Sequence, residues 1–460
     1  MASTRRGLFK SAAAGAAGMA GGATTGVGVA MAAPAIATGL DLTVKNIVST
    51  WVRVLFRPVP ARNMIRELPH WTIFVIYKVT LACGVVGYGE TMQYYTWGTV
   101  KDEAIARVTN HNAADFMWDD SVGCGLQMAL FDAVGKANGV PIHRLLGHKV
   151  RDRGFISWWA IDQPGEDWVI ECKDAAAAGF TFFKTKARPW WDLQDQCQKL
   201  MPTLPAYMKV NFDFNGTLMD SSHAGRYCVE IEKHAAMALY ETPIPQSDVA
   251  GNKLLRSQTK VPIAMHYGSP PVMTALKEDV CDVFVIGGGS HRLREQAAVA
   301  ATADKPFFLE LVGTGITATF SLHFAAVLTH AQWPQVDCHR IYTHQMIRQP
   351  IVVENGSARI PDAPGLGVDL DEDAVERFRI QPVMKEYPYP GLLLSVRWPS
   401  GATSYYAHAA QYWEDVHAGR FPVFLRHVYL ERIADNGSRE WKDLQARAQK
   451  GGFMVGGRPL

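Results

Sequence analysis

Between Leu42 and Glu90 the chain carries short apolar runs rich in β-branched and aromatic residues. The clearest, Thr72-Ile73-Phe74-Val75-Ile76-Tyr77-Lys78-Val79, predicts a strand, and a weaker run spans Val44 to Val54. Gly84-Val85-Val86-Gly87-Tyr88-Gly89-Glu90 reads as a glycine-rich turn closing a hairpin. From Asp102 to Leu146 the period becomes helical: Leu126, Leu130 and Val134 share one face of Gly125 to Ala137, widened by Ala133 and Ala137, and Pro141 and Gly147 end the segment. This first unit, strands then helices, reads as a separate α+β layer.

From about Gly154 to Arg348 apolar runs alternate with helical stretches. The predicted strands are Phe155 to Ala160, Thr181 to Lys186, Met208 to Asp213, Met237 to Glu241, Pro262 to Met265, Cys281 to Ile286, Pro306 to Glu310 and Arg340 to Thr343. Such runs with helical connectors predict an α/β protein built on a parallel TIM-type (β/α) barrel, with an open doubly wound sheet as the rival. In a barrel, chemistry gathers at the C-terminal ends of strands, so Lys186, Asp213, Glu241 and Glu310 are expected to converge. After Arg348, Gln349 to Gly356 carries a hairpin signal, and Leu392 to Arg397 predicts a strand in an aromatic-rich tail.

Composition narrows the class without selecting a partner. With 460 residues, 48% hydrophobic, and 46 basic against 44 acidic side chains, the chain has the profile of a globular enzyme-sized protein. That balance gives no general attraction to nucleic acid or anionic membrane, and after the N-terminus no stretch reaches the roughly eighteen apolar residues of a membrane span. The N-terminus departs from this profile. Arg5-Arg6 precedes a mildly apolar Ala/Gly stretch ending near Ala35-Ile36-Ala37, the pattern of a twin-arginine export signal, which implies a folded protein delivered to the periplasm. Seven scattered cysteines show no zinc spacing; export permits disulfides, but the odd number leaves one thiol unpaired within the chain.

Candidate chemistry sits at the strand ends. In Lys184-Thr185-Lys186 the period of two points both lysines to one side, where mutual repulsion favours a neutral amine suited to general base work; the alternative is a solvated pair. Asp213 and Glu241 end the next two strands, 27 and 28 residues on, as hard oxygen ligands for Mg²⁺ or as turn formers.

These residues, with Gly87-Tyr88-Gly89-Glu90-Thr91, Ala129 to Asp132 with Gly135-Lys136, Pro141, Leu145-Leu146-Gly147, Asn215, Glu241-Thr242-Pro243 and Pro361 to Gly367, resemble in order the mandelate racemase and muconate lactonizing enzyme branch of the enolase superfamily, over roughly residues 42–378. Between the signal segment at 1–37 and an extension at 381–460 that lies beyond the match, the resemblance implies a capping domain at 40–150, a barrel at 151–348 and a return to the cap at 349–380. It also implies Mg²⁺ at three acidic strand ends and removal of the proton α to a carboxylate through an enediolate. Lys186 then stands as the base, Lys184 as its partner, and Asp213 and Glu241 as ligands, with Asn215 beside the substrate. Capping-loop residues Arg57, Arg62, Tyr94, Tyr95 and Trp97 are candidates to meet a small carboxylate, and a homo-oligomer is expected.

Three positions break the family pattern. Where a third carboxylate is expected, Pro262-Ile263-Ala264-Met265 leads into His266-Tyr267; His266 as ligand shifts preference from Mg²⁺ toward Mn²⁺ or Zn²⁺, and Tyr267 stands in the carboxylate's slot. The sixth strand runs into Gly287-Gly288-Gly289 without a lysine, and Glu310 stands where the racemase-like branch has a histidine. Glu310 and His266 are the candidates to supply the missing acid. A two-base racemase or epimerase needs a group on each face of the carbanion, so these losses favour a dehydratase acting on a hydroxy or sugar acid. The third reading is a barrel that has lost metal catalysis and binds a small acid.

Overall fold

The computed structural model describes residues 39–95, 98–383 and 391–456; the export-signal segment and Trp97 lie outside them. No helix among the described residues is long and apolar enough to cross a membrane.

Strands Val44–Arg53, Ile73–Leu81 and Val86–Met92 form an antiparallel sheet in chain order. Helix Cys124–Ala137 covers one face, packing Leu126, Leu130 and Val134 against Val75, Tyr77 and Val79. The other face turns Phe74 and Ile76 into the main core with Phe284 and Leu309. Burial on both faces explains why the central strand reads as a continuous apolar run rather than an alternation. The glycines of Gly87-Tyr88-Gly89 lie inside the third strand rather than in the turn expected there, because the helix backbone presses on them. A Cβ at Gly89 would meet the Gly125 carbonyl oxygen at 2.1 Å, and one at Gly87 the Ala129 carbonyl oxygen at 2.2 Å. The turn itself is made by Gly84, at φ 84°.

The next buried strands form a parallel sheet: Trp158–Trp159, Phe182–Lys186, Lys209–Asp213, Met237–Glu241, Ile263–His266, Val283–Ile286 and Phe307–Leu309, each bonded to the next. Helices alternate with them, as the sequence predicts. The wall closes at Gln335 and Val336, which form parallel bridges to Ile156 and Glu310. The eighth strand was expected at Arg340 to Thr343, but there the chain makes a helical turn at His339–Ile341, and Tyr342 pairs with Phe56. Gln335 and Asp337 are buried polar residues, so this closing segment carries no apolar signature. Phe155, expected to open the first barrel strand, instead ends strand Arg153–Phe155, which joins a small antiparallel sheet with Val353–Glu354 and Ser357–Arg359, whose hairpin turns through Asn355 and Gly356 at positive φ.

A buried carboxylate ties the N-terminal sheet to the barrel. Glu90 accepts from the backbone N–H groups of Thr314 at 2.7 Å and Thr317 at 3.0 Å and from both threonine hydroxyls, capping helix Gly315–Val327. Beyond residue 390, strands Tyr429–Ile433, Leu393–Arg397, Thr403–Tyr406 and Phe453–Val455 form an antiparallel sheet in that order, with helices Ala409–His417 and Arg439–Gln449. Its core residues Leu394, Trp398, Tyr406, Tyr412 and Phe421 pack with Trp190 and Trp191 of the barrel. All seven cysteines are free thiols.

The close approach at Gly89 gives a direct expectation. Gly89→Ala must displace backbone at Gly125 and Ala129, so overpacking should destabilise the protein by about 1–3 kcal/mol, read as a lower urea midpoint than wild type.

Candidate active site

Parallel pairing aligns the ends of successive strands. Lys186 is the cross-strand partner of Asp213, and Asp213 of Glu241; Lys184, two residues earlier, faces the same way. His266 ends the next strand, and Glu310 follows Leu309 on the seventh. Neighbouring strands lie about 4.8 Å apart, so these side chains must meet.

Lys184 is the centre of the cluster. Its ammonium lies 2.7 Å from Glu241 Oε2, 3.2 Å from Glu310 Oε1 and 4.0 Å from Asp213 Oδ2, with no exposed side-chain surface. Burial opposes its charge, but Glu241, Glu310 and Asp213 outweigh it and hold its pKa above the ordinary lysine value. Repulsion between the lysines therefore does not leave Lys184 neutral: carboxylates from other strands decide its ionisation. Lys186, 16% exposed, donates to Asp213 and, at 3.2 Å, to Asn215 Oδ1. Asp213, fully buried, is nonetheless held well below its usual pKa by Lys186, Lys184 and Arg188. Burial pushes Glu310 up, but Lys184, then His266 and Lys186, hold it below the usual carboxylate value.

His266 stands at the open side. Its Nε2 lies 3.5 Å from Glu241 Oε1, and its Nδ1 3.8 Å from Glu310 Oε2. Burial pulls the imidazole down, and the two carboxylates more than offset this, so its pKa is raised. Glu241 Oε1 is buried and makes no close hydrogen bond; the group facing it is the His266 imidazole at 3.5 Å. One ligand atom each from Glu241, His266 and Glu310 lies within 4.8 Å of the others. Two carboxylates and an imidazole are a donor set for a divalent ion, and the orphaned oxygen fits that use. Asp213, expected among the ligands, has its carboxylate engaged by Lys186 and by Asn215, whose backbone N–H donates at 2.9 Å.

Lys184, Lys186, Asp213, Asn215, Glu241, His266 and Glu310 thus converge. Arg57 instead pairs with Glu171 at 2.7 Å and Asp174 at 3.4 Å, and Arg62 with Asp167. The Tyr94 hydroxyl donates to the Val383 carbonyl, and Tyr267 packs against Phe284. Among the described loop candidates Tyr95 is the one on which the cluster's charges act: burial raises its phenol well above the usual value, and Glu310, Lys184 and Glu241 contribute. Arg188, which the sequence reading passed over, lies two residues beyond Lys186 and bonds Asn215; only its nearness to the lysine pair marked it.

Residues 167–374 match the family described as "Enolase C-terminal domain-like". Curated relatives include muconate cycloisomerase 1-2 of Acinetobacter lwoffii, 25% identical over 66% of this chain and 88% of that protein. D-galactonate dehydratase of Ralstonia nicotianae is 26% identical over 56% of this chain and 74% of its own. Among solved structures, muconate cycloisomerase from Pseudomonas fluorescens superposes with a TM-score of 0.61 at 22% identity, covering 74% of this chain and 99% of that one.

The central ammonium can be tested alone. Lys184→Met strands Glu241 and Glu310 in a buried site, and breaking a buried pair costs about 3–5 kcal/mol, so the metal-free variant should melt well below wild type at pH 7. Stranded carboxylates have raised pKa values in the folded state, so the deficit should shrink as the pH is lowered toward 5 and they take up protons. An equal melting point at pH 7 would mean that Lys184 does not neutralise the cluster.

Proposed function

The chain belongs to the enolase superfamily, in the branch of mandelate racemase and muconate lactonizing enzyme, and on that basis we propose that it removes the proton α to the carboxylate of a hydroxy or sugar acid and expels the β-hydroxyl as water. The observation that carries this reading is the buried cluster at adjacent strand ends, with Glu241 Oε1 left open beside His266 and Glu310. Those three residues would hold a divalent ion, Mg²⁺ or, given the imidazole, Mn²⁺ or Zn²⁺. Such an ion would supply positive charge beside the substrate's carboxylate oxygens.

Lys186 is the base in this reading. It is the more exposed of the two lysines, whereas Lys184 is buried and held charged, and so serves as a fixed cation against the growing negative charge. Dehydration is favoured over racemisation by the opposite side of the site. Glu310 Oε1 is paired with the Lys184 ammonium, and Glu310 is itself one of the residues that would hold the ion, so it is poorly suited to deliver a proton there. In its neutral form a single lysine can take the α-proton and pass that proton to the leaving hydroxyl on the same face, giving a syn elimination that releases water and returns the neutral amine. The second reading, a metal-free binding barrel, draws support from the ammonium that already bridges Glu241 and Glu310. The twin-arginine segment adds the proposal that the protein acts in the periplasm.

Elemental analysis and calorimetric titration with Mg²⁺, Mn²⁺ and Zn²⁺ separate the two readings. Wild type should bind one ion, and Glu241→Gln should weaken it by more than about 100-fold, beyond the loss typical of an outer-shell partner. A panel of hydroxy and sugar acids in D₂O should show α-proton exchange or dehydration by NMR, reduced at least about 10²–10⁴-fold in Lys186→Met. Failure to bind any ion would make the binding-protein reading the leading one. For export, Arg5→Lys with Arg6→Lys should hold the protein in the cytoplasmic fraction; unchanged fractionation would rule out the twin-arginine route.

A further inference from the structure

The C-terminal module lies beyond the family match, which ends at residue 374, and nothing in the chemistry above uses it. Its helix Ala409–His417 nevertheless reaches the strand ends through Trp413. The Trp413 ring lies 5.0 Å from Arg188 Cζ, and Trp190 meets the same indole edge-on at 5.0 Å. Arg188 is buried, and its fork is filled on the barrel side. Nη1 donates to the carbonyls of Ala187 and Asp213, each at 3.0 Å, and Nη2 donates to Asn215 Oδ1 at 2.5 Å. Its Nε is buried without a hydrogen-bond partner. A desolvated guanidinium in that state draws more from an aromatic face than an exposed one does.

The consequence reaches Lys186 through one amide. Asn215 sits at φ 47°, a left-handed backbone that an asparagine tolerates. Its Oδ1 accepts from both Arg188 and Lys186, while its Nδ2 donates to Asp213 Oδ2 at 3.3 Å. The guanidinium thereby fixes which end of the amide faces the lysine: rotated by half a turn, the amide would present N–H groups to two cations. Without a cover over Arg188, water competes for the fork and the amide loses its orienting partner.

We propose that Trp413 is a positioning residue for Lys186, acting through Arg188 and Asn215, so that the C-terminal module completes the active site rather than decorating it. The catalytic meaning rests on Lys186 being the base, but the geometry is testable without substrate or metal. Full-length protein labelled with ¹⁵N at lysine Nζ should give a slowly exchanging ammonium signal for Lys186, assigned by its absence in Lys186→Arg. The signal of Lys184, buried among carboxylates, is the internal control for an intact barrel. Trp413→Phe, which keeps an aromatic face, should retain the Lys186 signal. Trp413→Leu, which keeps bulk but not the π-face, and Arg188→Met should lose it or broaden it at least twofold while the Lys184 signal stays. If Trp413→Leu also loses the Lys184 signal through unfolding, Arg188→Lys, which keeps the charge but cannot span the fork, decides by the same readout. An unchanged Lys186 signal in Trp413→Leu and Arg188→Met, or no protected Lys186 signal in wild type, overturns the proposal. Loss of the dehydration reading alone does not, since no step of this experiment depends on turnover.

Discussion

Three carboxylates meet at the mouth of the barrel, and two ammonium groups make that possible. Strand pairing leaves no freedom here: the register brings Asp213 beside Glu241 and Lys186 beside Asp213, and the parallel sheet buries their stems. Ionised carboxylates so placed would repel one another and lose hydration, a penalty of several kcal/mol for each group. Lys184 between Glu241 and Glu310 removes most of that difficulty, and Lys186 holds Asp213. The site is therefore assembled before any ligand arrives, which is the state electrostatic catalysis requires. The arrangement also separates the two lysines: Lys184 neutralises the centre, and the more exposed Lys186 pairs with Asp213.

What the sequence made legible follows from how each feature is encoded. Strand ends were readable because a buried parallel strand is a short apolar run that stops at a charge, as in Asn211-Phe212-Asp213 and Leu239-Tyr240-Glu241. Their recurrence at one βα unit placed the charges together before any contact was known. The barrel's closing segment was not readable, because Gln335 and Asp337 are polar residues that look like loop residues, although both are buried and Gln335 donates to Asp337 and to the Ala318 carbonyl. The ionisation of Lys184 was beyond local inference for a related reason: adjacent lysine chemistry pushes it one way, and three carboxylates on other strands push it further the other. Arg57 and Tyr94 were placed near substrate by analogy of loop position, and contacts with Glu171 and Val383 take them up instead.

The joint between the N-terminal sheet and the barrel shows another way of handling a buried charge. Glu90 has no cationic partner among its hydrogen bonds; it is met by two backbone N–H groups and two hydroxyls at a helix start. Burial raises its pKa, and those bonds work against the rise. Fixed dipoles hold the layers in register while leaving the cationic side chains to the cluster at the strand ends. On the other side of the same strand Gly87 and Gly89 let the sheet lie against the backbone of helix Cys124–Ala137, where any Cβ would collide with the Ala129 and Gly125 carbonyl oxygens.

A second buried charge network bears on why the C-terminal module belongs to the fold. Asp162 accepts from Arg66 of the N-terminal layer and, at 2.8 Å each, from the indoles of Trp190 and Trp191, while Tyr412 donates to Glu67 at 2.6 Å. Asp162 is held below its usual pKa by Arg66 and Arg188 despite burial, whereas burial and the nearby Asp162 raise Glu67. Such networks contribute little net stability over a hydrophobic core, but leaving one partner unmatched is costly. Their effect is therefore on geometry: the N-terminal layer, the barrel loop after Lys186 and the module can satisfy these groups together in only one relative placement. That loop is the one carrying Arg188, so the same packing that anchors the module also holds the guanidinium beside Asn215 and Lys186.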